Sequence, residues 1–104
     1  MYRVILVTAA NKKEARRIAK ALINNKLAAC VNIISEVESL FYWKGKIDSA
    51  KETLLIIKSR KEKVPKIIKL VKSIHSYEIP EIISLPIAAG FRLYLKWIDE
   101  SLAF

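Results

Sequence analysis

The sequence predicts an α+β domain whose elements follow the order β-α-β-β-α-β, with a further helix at the C-terminal end. Runs of apolar and β-branched residues typical of strands alternate with segments whose apolar residues recur at helical spacing. Turn and cap residues stand where one pattern gives way to the next. A chain of 104 residues is long enough for one hydrophobic core, so residues 1–104 are expected to form a single domain.

The first strand is predicted over Tyr2–Ala9, a nearly continuous apolar run typical of a central strand. Asn11 is predicted to cap the first helix, and Glu14 three residues later completes a capping-box pattern. The pair Asn24-Asn25 is predicted to end this helix in a left-handed conformation. The buried stripe of the helix is predicted to consist of Ala15, Ile18, Ala19, Leu22 and Ile23.

A long hairpin is predicted from two extended segments, Leu27–Trp43 and Ile47–Lys58, joined by a turn at Lys44-Gly45. The alternation slips at Ile34-Ser35, which predicts a bulge or bend. The hairpin tip carries three aromatic residues that we expect to be exposed in a lone monomer. They are interpreted as a contact with another subunit, with a ligand-stacking platform as the alternative: Phe41, Tyr42 and Trp43.

The second helix is predicted to begin near residues 62–64, because Pro65 is tolerated only in a first turn, and to end at His75. A strand is predicted over Ile82–Ala88, and Gly90 ends it. The last helix is predicted from apolar residues at helical spacing, namely Phe91, Tyr94, Leu95, Ile98 and Leu102. The complete order is that of the split βαβ, or ferredoxin-like, fold, in which two helices cover one face of an antiparallel sheet.

Composition limits the classes of partner. The net charge of +9 invites a nucleic-acid or membrane interpretation, but Lys63, Lys66, Lys69 and Lys72 recur on one side of the second helix, as on a solvated helix face. We therefore expect no nucleic-acid partner and no membrane partner.

One cysteine and no recognisable signal peptide predict a cytoplasmic protein. An apolar fraction of 53% is high for so short a chain and predicts a homo-oligomer.

The candidate functional stretch is His75–Ile82, which combines the only histidine with two carboxylates and a proline. Imidazole and carboxylate groups are ligands that suit copper or zinc better than magnesium. The first interpretation is therefore a metal site formed by His75, Glu78 and Glu81. The alternative is structural, because a histidine at the end of a helix also complements the free carbonyl groups there.

Several motifs resemble the CutA divalent-cation tolerance proteins. The matching stretches are Leu27-Ala28-Ala29-Cys30-Val31-Asn32, Trp43-Lys44-Gly45-Lys46-Ile47 and His75-Ser76-Tyr77-Glu78-Ile79-Pro80-Glu81-Ile82, and the similarity runs almost end to end. The sequence departs from the family pattern at Ser76, where proline is usual, at Ser35-Glu36, where Pro-Gly is frequent, and at Phe41, where tyrosine is common.

This resemblance implies a cytoplasmic homotrimer of ferredoxin-like subunits, similar in architecture to PII-type signalling proteins and involved in copper tolerance. It implies metal contacts at His75 with Glu78 or Glu81, and at Cys30. Cys30 has a structural alternative, because it lies in an apolar strand and free cysteine is often buried. Copper is the expected metal, and zinc is the other candidate.

Two further functions are weighed against metal handling. The first is a PII-like sensor that binds a small anionic ligand between subunits through Lys44, Lys46, Lys58 or Arg60, although the chain lacks a glycine-rich phosphate loop. The second is an enzyme. The sequence shows no second histidine and no evident nucleophile and base, so we expect a non-enzymatic protein.

Overall fold

A computed structural model describes residues 1–103, and it confirms the predicted β-α-β-β-α-β order with an added helix. The strands are β1 (Tyr2–Ala9), β2 (Cys30–Trp43), β3 (Lys46–Arg60) and β4 (Ile82–Pro86). The helices are α1 (Lys12–Asn24), α2 (Val64–Ile74) and α3 (Arg92–Ser101), and a short 3-10 turn at Lys61–Lys63 leads into α2. No helix within residues 1–103 combines the length and the apolar character that crossing a membrane requires.

The four strands form one sheet in the order β2-β3-β1-β4, and every pair is antiparallel. β1 therefore lies in the interior of the sheet between β3 and β4, as its continuous apolar sequence predicts. This is the ferredoxin-like topology. Residues directly opposite each other in an antiparallel pair point to the same face, so the register assigns every side chain of the sheet to one of two faces.

The helix-side face is the one that α1 and α2 cover. It contains Ile5 and Val7 of β1 and Leu55 and Ile57 of β3, and all four are fully buried in the main core together with apolar residues of the two helices. The core residues of the helices include Ala15, Ile18, Leu22, Ile67 and Val71, as the helical spacing predicts. Ile23, which was also predicted to belong to the buried stripe of α1, is instead 45% exposed, and Ile68 of α2 is 44% exposed.

The open face is the opposite side of the sheet, and it is apolar as well. Leu6 lies opposite Ile83, Val4 opposite Leu85, and Ile34 opposite Leu54. Ile34, Ile83 and Leu85 are 45%, 49% and 47% exposed. The sheet therefore presents a second apolar surface that this chain leaves partly uncovered.

Helix α3 covers one end of the open face. Tyr2 and Arg60 lie opposite each other at that end of the sheet, and both bind Asp99 of α3. The Tyr2 hydroxyl donates to Oδ2 of Asp99 at 2.7 Å, and the Arg60 guanidinium donates to Oδ1 at 2.7 Å. Ile98 of α3 and Leu102 just after it are buried, whereas Leu93, Tyr94 and Trp97 of the same helix are 54%, 41% and 42% exposed.

The β2–β3 hairpin has the predicted turn and bulge. Lys44 and Gly45 both have positive φ, 51° and 78°, as a two-residue turn between twisted strands requires. The register shifts between Ile34 and Val37, where Glu36 has a φ of 60°. Two residues of β2, Ser35 and Glu36, then lie opposite one residue of β3, Thr53, so the bulge contains one extra residue. The aromatic residues at the tip are exposed, as expected.

Some element boundaries differ from the predicted ones. The left-handed residue after α1 is Lys26, with φ of 57°, whereas Asn25 has φ of −93°. β2 begins at Cys30 instead of Leu27, since pairing with β3 starts only at Cys30, and Leu27 and Ala28 are buried in the connection before the strand. β4 ends at Pro86, which has no N–H for a ladder bond, although the Ile87 amide still donates to the Tyr2 carbonyl at 3.0 Å.

Candidate functional site

His75 ends helix α2 and has a completely buried side chain. Its Nε2 lies 2.8 Å from the carbonyl oxygen of Thr8, which can only accept a hydrogen bond. Its Nδ1 accepts a hydrogen bond of 3.0 Å from the Tyr77 amide, which can only donate. These partners assign the neutral tautomer with the proton on Nε2.

This hydrogen bonding makes His75 a structural tie between the end of α2 and the end of β1. A metal ligand must offer a free nitrogen lone pair, and here the unprotonated nitrogen is already occupied by Tyr77. His75 could bind a metal only if the Tyr77 bond, the Thr8 bond or both were broken. In this conformation the role of His75 is structural, but its ring binds the Thr8 carbonyl of β1 and not the free carbonyl groups of α2 that the sequence alternative named.

Glu14 is buried beside His75 and binds two backbone amides. Its Oε1 accepts from Ala10 at 2.9 Å and its Oε2 accepts from Ser76 at 2.7 Å. Asn11 caps α1 as predicted, accepting from the Glu14 amide at 2.8 Å, but the Glu14 carboxylate returns to Ala10 and not to Asn11 itself. Burial opposes ionisation of Glu14, yet the hydrogen bonds from Ala10 and Ser76 lower the pKa of its carboxyl below the usual value.

Tyr77 lies over the His75 ring, with ring centroids 4.7 Å apart, and extends toward β3. Its hydroxyl donates to Oε2 of Glu52 at 2.7 Å, and Glu52 is itself 9% exposed. Burial and the bond to Glu52 raise the pKa of Tyr77 to about 12. Tyr77 therefore links the loop after α2 to the hairpin.

A cleft of about 870 Å³ lies between that loop and the outer half of the β2–β3 hairpin. Its walls include the aromatic residues Phe41, Trp43 and Tyr77. Five carboxylates line it, namely Glu38, Asp48, Glu52, Glu78 and Glu81, whereas its lining within residues 1–103 contains no lysine or arginine. The chain has 10 acidic and 19 basic residues, so half of its acids gather in one cleft of a strongly basic protein.

The four predicted ligands are not brought together. Glu78 and Glu81 line the cleft, whereas His75 is not part of its lining. Cys30 lies opposite Lys58, four residues along β3 from the partner of Thr8, so it is roughly 13 Å or more from the His75 contact. No three His, Cys, Asp or Glu side chains within residues 1–103 are close enough together to hold a metal ion.

The sequence interpretation did not identify the hairpin carboxylates Glu38, Asp48 and Glu52 as part of this site. Each is far along the chain from Glu78, and the predicted hairpin gave no distance between its tip and the loop after α2. Glu14 was recognised only as a helix cap. Its bond to Ser76 joins residues 62 positions apart, and a pattern of neighbouring residues cannot predict such a contact.

Comparison with known proteins gives one consistent family. Residues 3–101 match the family model of the CutA1 divalent ion tolerance protein. A protein from Archaeoglobus fulgidus named divalent-cation tolerance protein CutA is 46% identical over 101 residues, covering 97% of this chain and 98% of that protein. The protein of the same name from Thermus thermophilus is 44% identical, with 97% and 98% covered.

Solved structures agree with these sequence relationships. The structure described as the periplasmic divalent cation tolerance protein CutA from Archaeoglobus fulgidus superposes with a TM-score of 0.95, covering 98% of this chain and 99% of that one. The divalent cation tolerance protein from Thermus thermophilus gives the same TM-score at 44% identity, covering 97% and 98%. The chain also matches a chloroplastic rice CutA 1, 44% identical over 94% of this chain, but spans only 55% of that relative.

Proposed function

We propose, because this chain belongs to the CutA1 divalent ion tolerance family, that it contributes to metal tolerance by binding a divalent ion, copper or zinc, in the acidic cleft. One observation carries the proposal. Five of the ten acidic residues line a single cleft, although basic residues outnumber acidic ones almost two to one. Such a concentration of negative charge attracts divalent cations to that cleft and supplies oxygen ligands for them. Because carboxylates alone suit magnesium or calcium better than copper or zinc, the choice of copper or zinc rests on the family resemblance.

Glu78 and Glu81 are the proposed ligands within this chain. Both line the cleft, and the loop that carries them is tied at its start by His75. His75 could join them only in a loop conformation that releases its ring from Tyr77 or Thr8. Because no three ligand groups converge within residues 1–103, we propose that a second copy of the chain or a side-chain rearrangement completes the coordination.

We also propose that the chain assembles as a homotrimer through the open face and the hairpin tip. The open face carries Ile34, Ile83 and Leu85, each almost half exposed. The tip adds Tyr42 and Trp43, at 75% and 50% exposure. Contiguous apolar surfaces of this kind usually mark contacts with another chain. We propose a non-enzymatic role and a cytoplasmic location, the latter supported by the single free cysteine.

The test is a calorimetric titration of the metal-free protein with Cu²⁺ and with Zn²⁺. We expect binding by the wild type, and we expect the double variant Glu78→Gln, Glu81→Gln to bind roughly tenfold more weakly or worse. Glu62→Gln, Glu100→Gln is the matched control, because it also removes two acids, and both lie outside the cleft. Absence of binding by the wild type, or equal loss in the control, would overturn the proposal.

His75→Gln decides the role of the histidine in the same titration. Glutamine can still donate and accept hydrogen bonds but is a poor ligand for copper or zinc. Affinity retained in His75→Gln supports the structural tie. Affinity lost while the fold is intact by circular dichroism supports direct ligation in an opened loop.

The alternative is a PII-like sensor for a small anion. The sequence places the anion between subunits, and none of the four basic residues proposed to bind it lines the acidic cleft of the single chain. Arg60, one of the four, is engaged with Asp99 and Glu62. The local charge therefore favours a cation there. Titration of the metal-free protein with inorganic phosphate checks this point, and we expect no binding in the cleft.

A further inference from the structure

We infer that Glu14 is a positioning residue for the metal-binding loop, which we define as residues 76–81. This inference rests on the proposed function and deepens it. Glu14 belongs to α1 and does not line the cleft. Its carboxylate nevertheless binds the first residue of the loop, because Oε2 accepts from the Ser76 amide at 2.7 Å.

This bond is one of three hydrogen bonds that fix the residues at the C-terminal end of α2. The Arg17 guanidinium, also on α1, donates to the Ile74 carbonyl at 2.9 Å. Glu14 then binds the Ser76 amide, and the His75 ring binds the Thr8 carbonyl at the end of β1. Three consecutive residues are thus fixed to two other elements just before Glu78.

Glu14 holds the central position in this set. It is 4% exposed, and its second oxygen is fixed by the Ala10 amide at the β1–α1 connection. Its Oε2 is also 3.7 Å from Arg17 and 4.0 Å from Nδ1 of His75. The carboxylate is therefore held at both oxygens, and one of them binds the residue at which the loop begins.

The rest of the loop is held from other sides. The Tyr77 hydroxyl binds Glu52 of the hairpin, the exposed Lys72 side chain of α2 donates to the carbonyl oxygen of Glu78 at 2.7 Å, and β4 begins at Ile82, directly after the loop. Hydrogen-bonding groups outside the metal site orient the side chains that bind the metal. Loss of such groups typically lowers the metal affinity about tenfold to a hundredfold. Glu14 supplies this fixation from outside the cleft.

The experiment compares Glu14→Gln and Glu14→Ala with the wild type in two measurements. Glutamine keeps one acceptor oxygen for Ala10 or Ser76, and alanine keeps none. Both variants remove the same charge, so a difference between them reports positioning and not electrostatics. We expect Zn²⁺ affinity to fall roughly tenfold in Glu14→Ala and less in Glu14→Gln. Glu62→Gln controls for the loss of one negative charge.

The second measurement is amide hydrogen exchange of Ser76 and Tyr77 without metal. We expect faster exchange at both amides in Glu14→Ala, with unchanged protection in β3 as the control for an intact fold. This readout needs no metal binding, so it separates the two proposals. If the wild type binds no metal but Ser76 exchange responds to Glu14, the proposed function fails and the positioning of the loop stands. Unchanged exchange, or equal affinity in Glu14→Ala and Glu14→Gln, would overturn the positioning role.

Discussion

The two faces of the sheet carry equally apolar residues from the same strands, but within one chain these residues are buried to different extents. Ile57 points to the helix side and is fully buried, whereas its neighbour Ile56 points to the open face and is only partly buried. The difference is made by α1 and α2, which bury the helix-side residues of β1 and of the inner half of β3, while α3 covers only an end of the other face. The apolar residues of β1 and β3 therefore require a cover on both faces of the sheet. This chain covers the helix-side face of these strands and only part of the open face.

The largest effect is expected from truncating the helix-side core. Ile57→Ala leaves a cavity among rigidly packed residues and should lower the free energy of unfolding by about 2–5 kcal/mol. Ile56→Ala is the matched control on the other face of the same strand. Denaturant unfolding measures both, and the cost of Ile56→Ala should grow with protein concentration if another chain covers it. Equal, concentration-independent costs would contradict the distinction between the faces.

A charge on the open face should dissociate the proposed trimer. Leu85→Glu places a carboxylate where we expect apolar contact with another subunit, so light scattering should report the mass of a monomer. Ile68→Glu is the control, because Ile68 is about as exposed but lies on α2, on the helix side. A trimer that survives Leu85→Glu unchanged would show that the interface lies elsewhere.

The pH dependence should come in part from the α3 contact with the open face. The hydrogen bond from Arg60, followed by that from Tyr2, holds the pKa of the Asp99 carboxyl below its usual range. A lowered pKa means stability that is present above the unfolded value and is lost as the pH falls through the folded value. Wild-type stability should therefore decrease below about pH 4, and Asp99→Asn should be less stable at pH 7 with a shallower acid slope. Unfolding curves between pH 7 and pH 2 test this, and an unchanged slope would argue against it.

The smallest effect is expected at the bulge of β2, which determines the face occupied by each residue beyond Ile34. Glu36 has a positive φ of 60°, a conformation that favours glycine. Glu36→Gly should stabilise the protein by about 1 kcal/mol or less, because strain relief is partly offset by the added freedom of the unfolded chain. Thermal unfolding measures the gain. Ser35→Gly is the control, because Ser35 does not have a positive φ and this substitution should not stabilise the protein.

The fold could be predicted from the sequence because its signals are local. Alternating apolar residues, the Asn11 cap, Pro65 at the start of α2 and the Lys44-Gly45 turn each act within a few residues. The site could be predicted only in part. Glu78 and Glu81 lie only three positions apart in the sequence, but the bonds of His75 to Thr8 and of Glu14 to Ser76 join distant segments. Whether a histidine is free to bind metal depends on such bonds, so its residue type alone could not decide its role.

The position of β1 between β3 and β4 also has a consequence for biosynthesis. Both of its partner strands follow it by many residues, so β1 leaves the ribosome as an apolar strand with nothing to pair with. The β2–β3 hairpin, closed by its two-residue turn, can form by itself within microseconds. We expect the hairpin to become protected first and β1 last in a pulse-labelled refolding experiment. Until β1 pairs with β3 and β4, its exposed apolar side chains and unpaired edges make the nascent chain prone to aggregation.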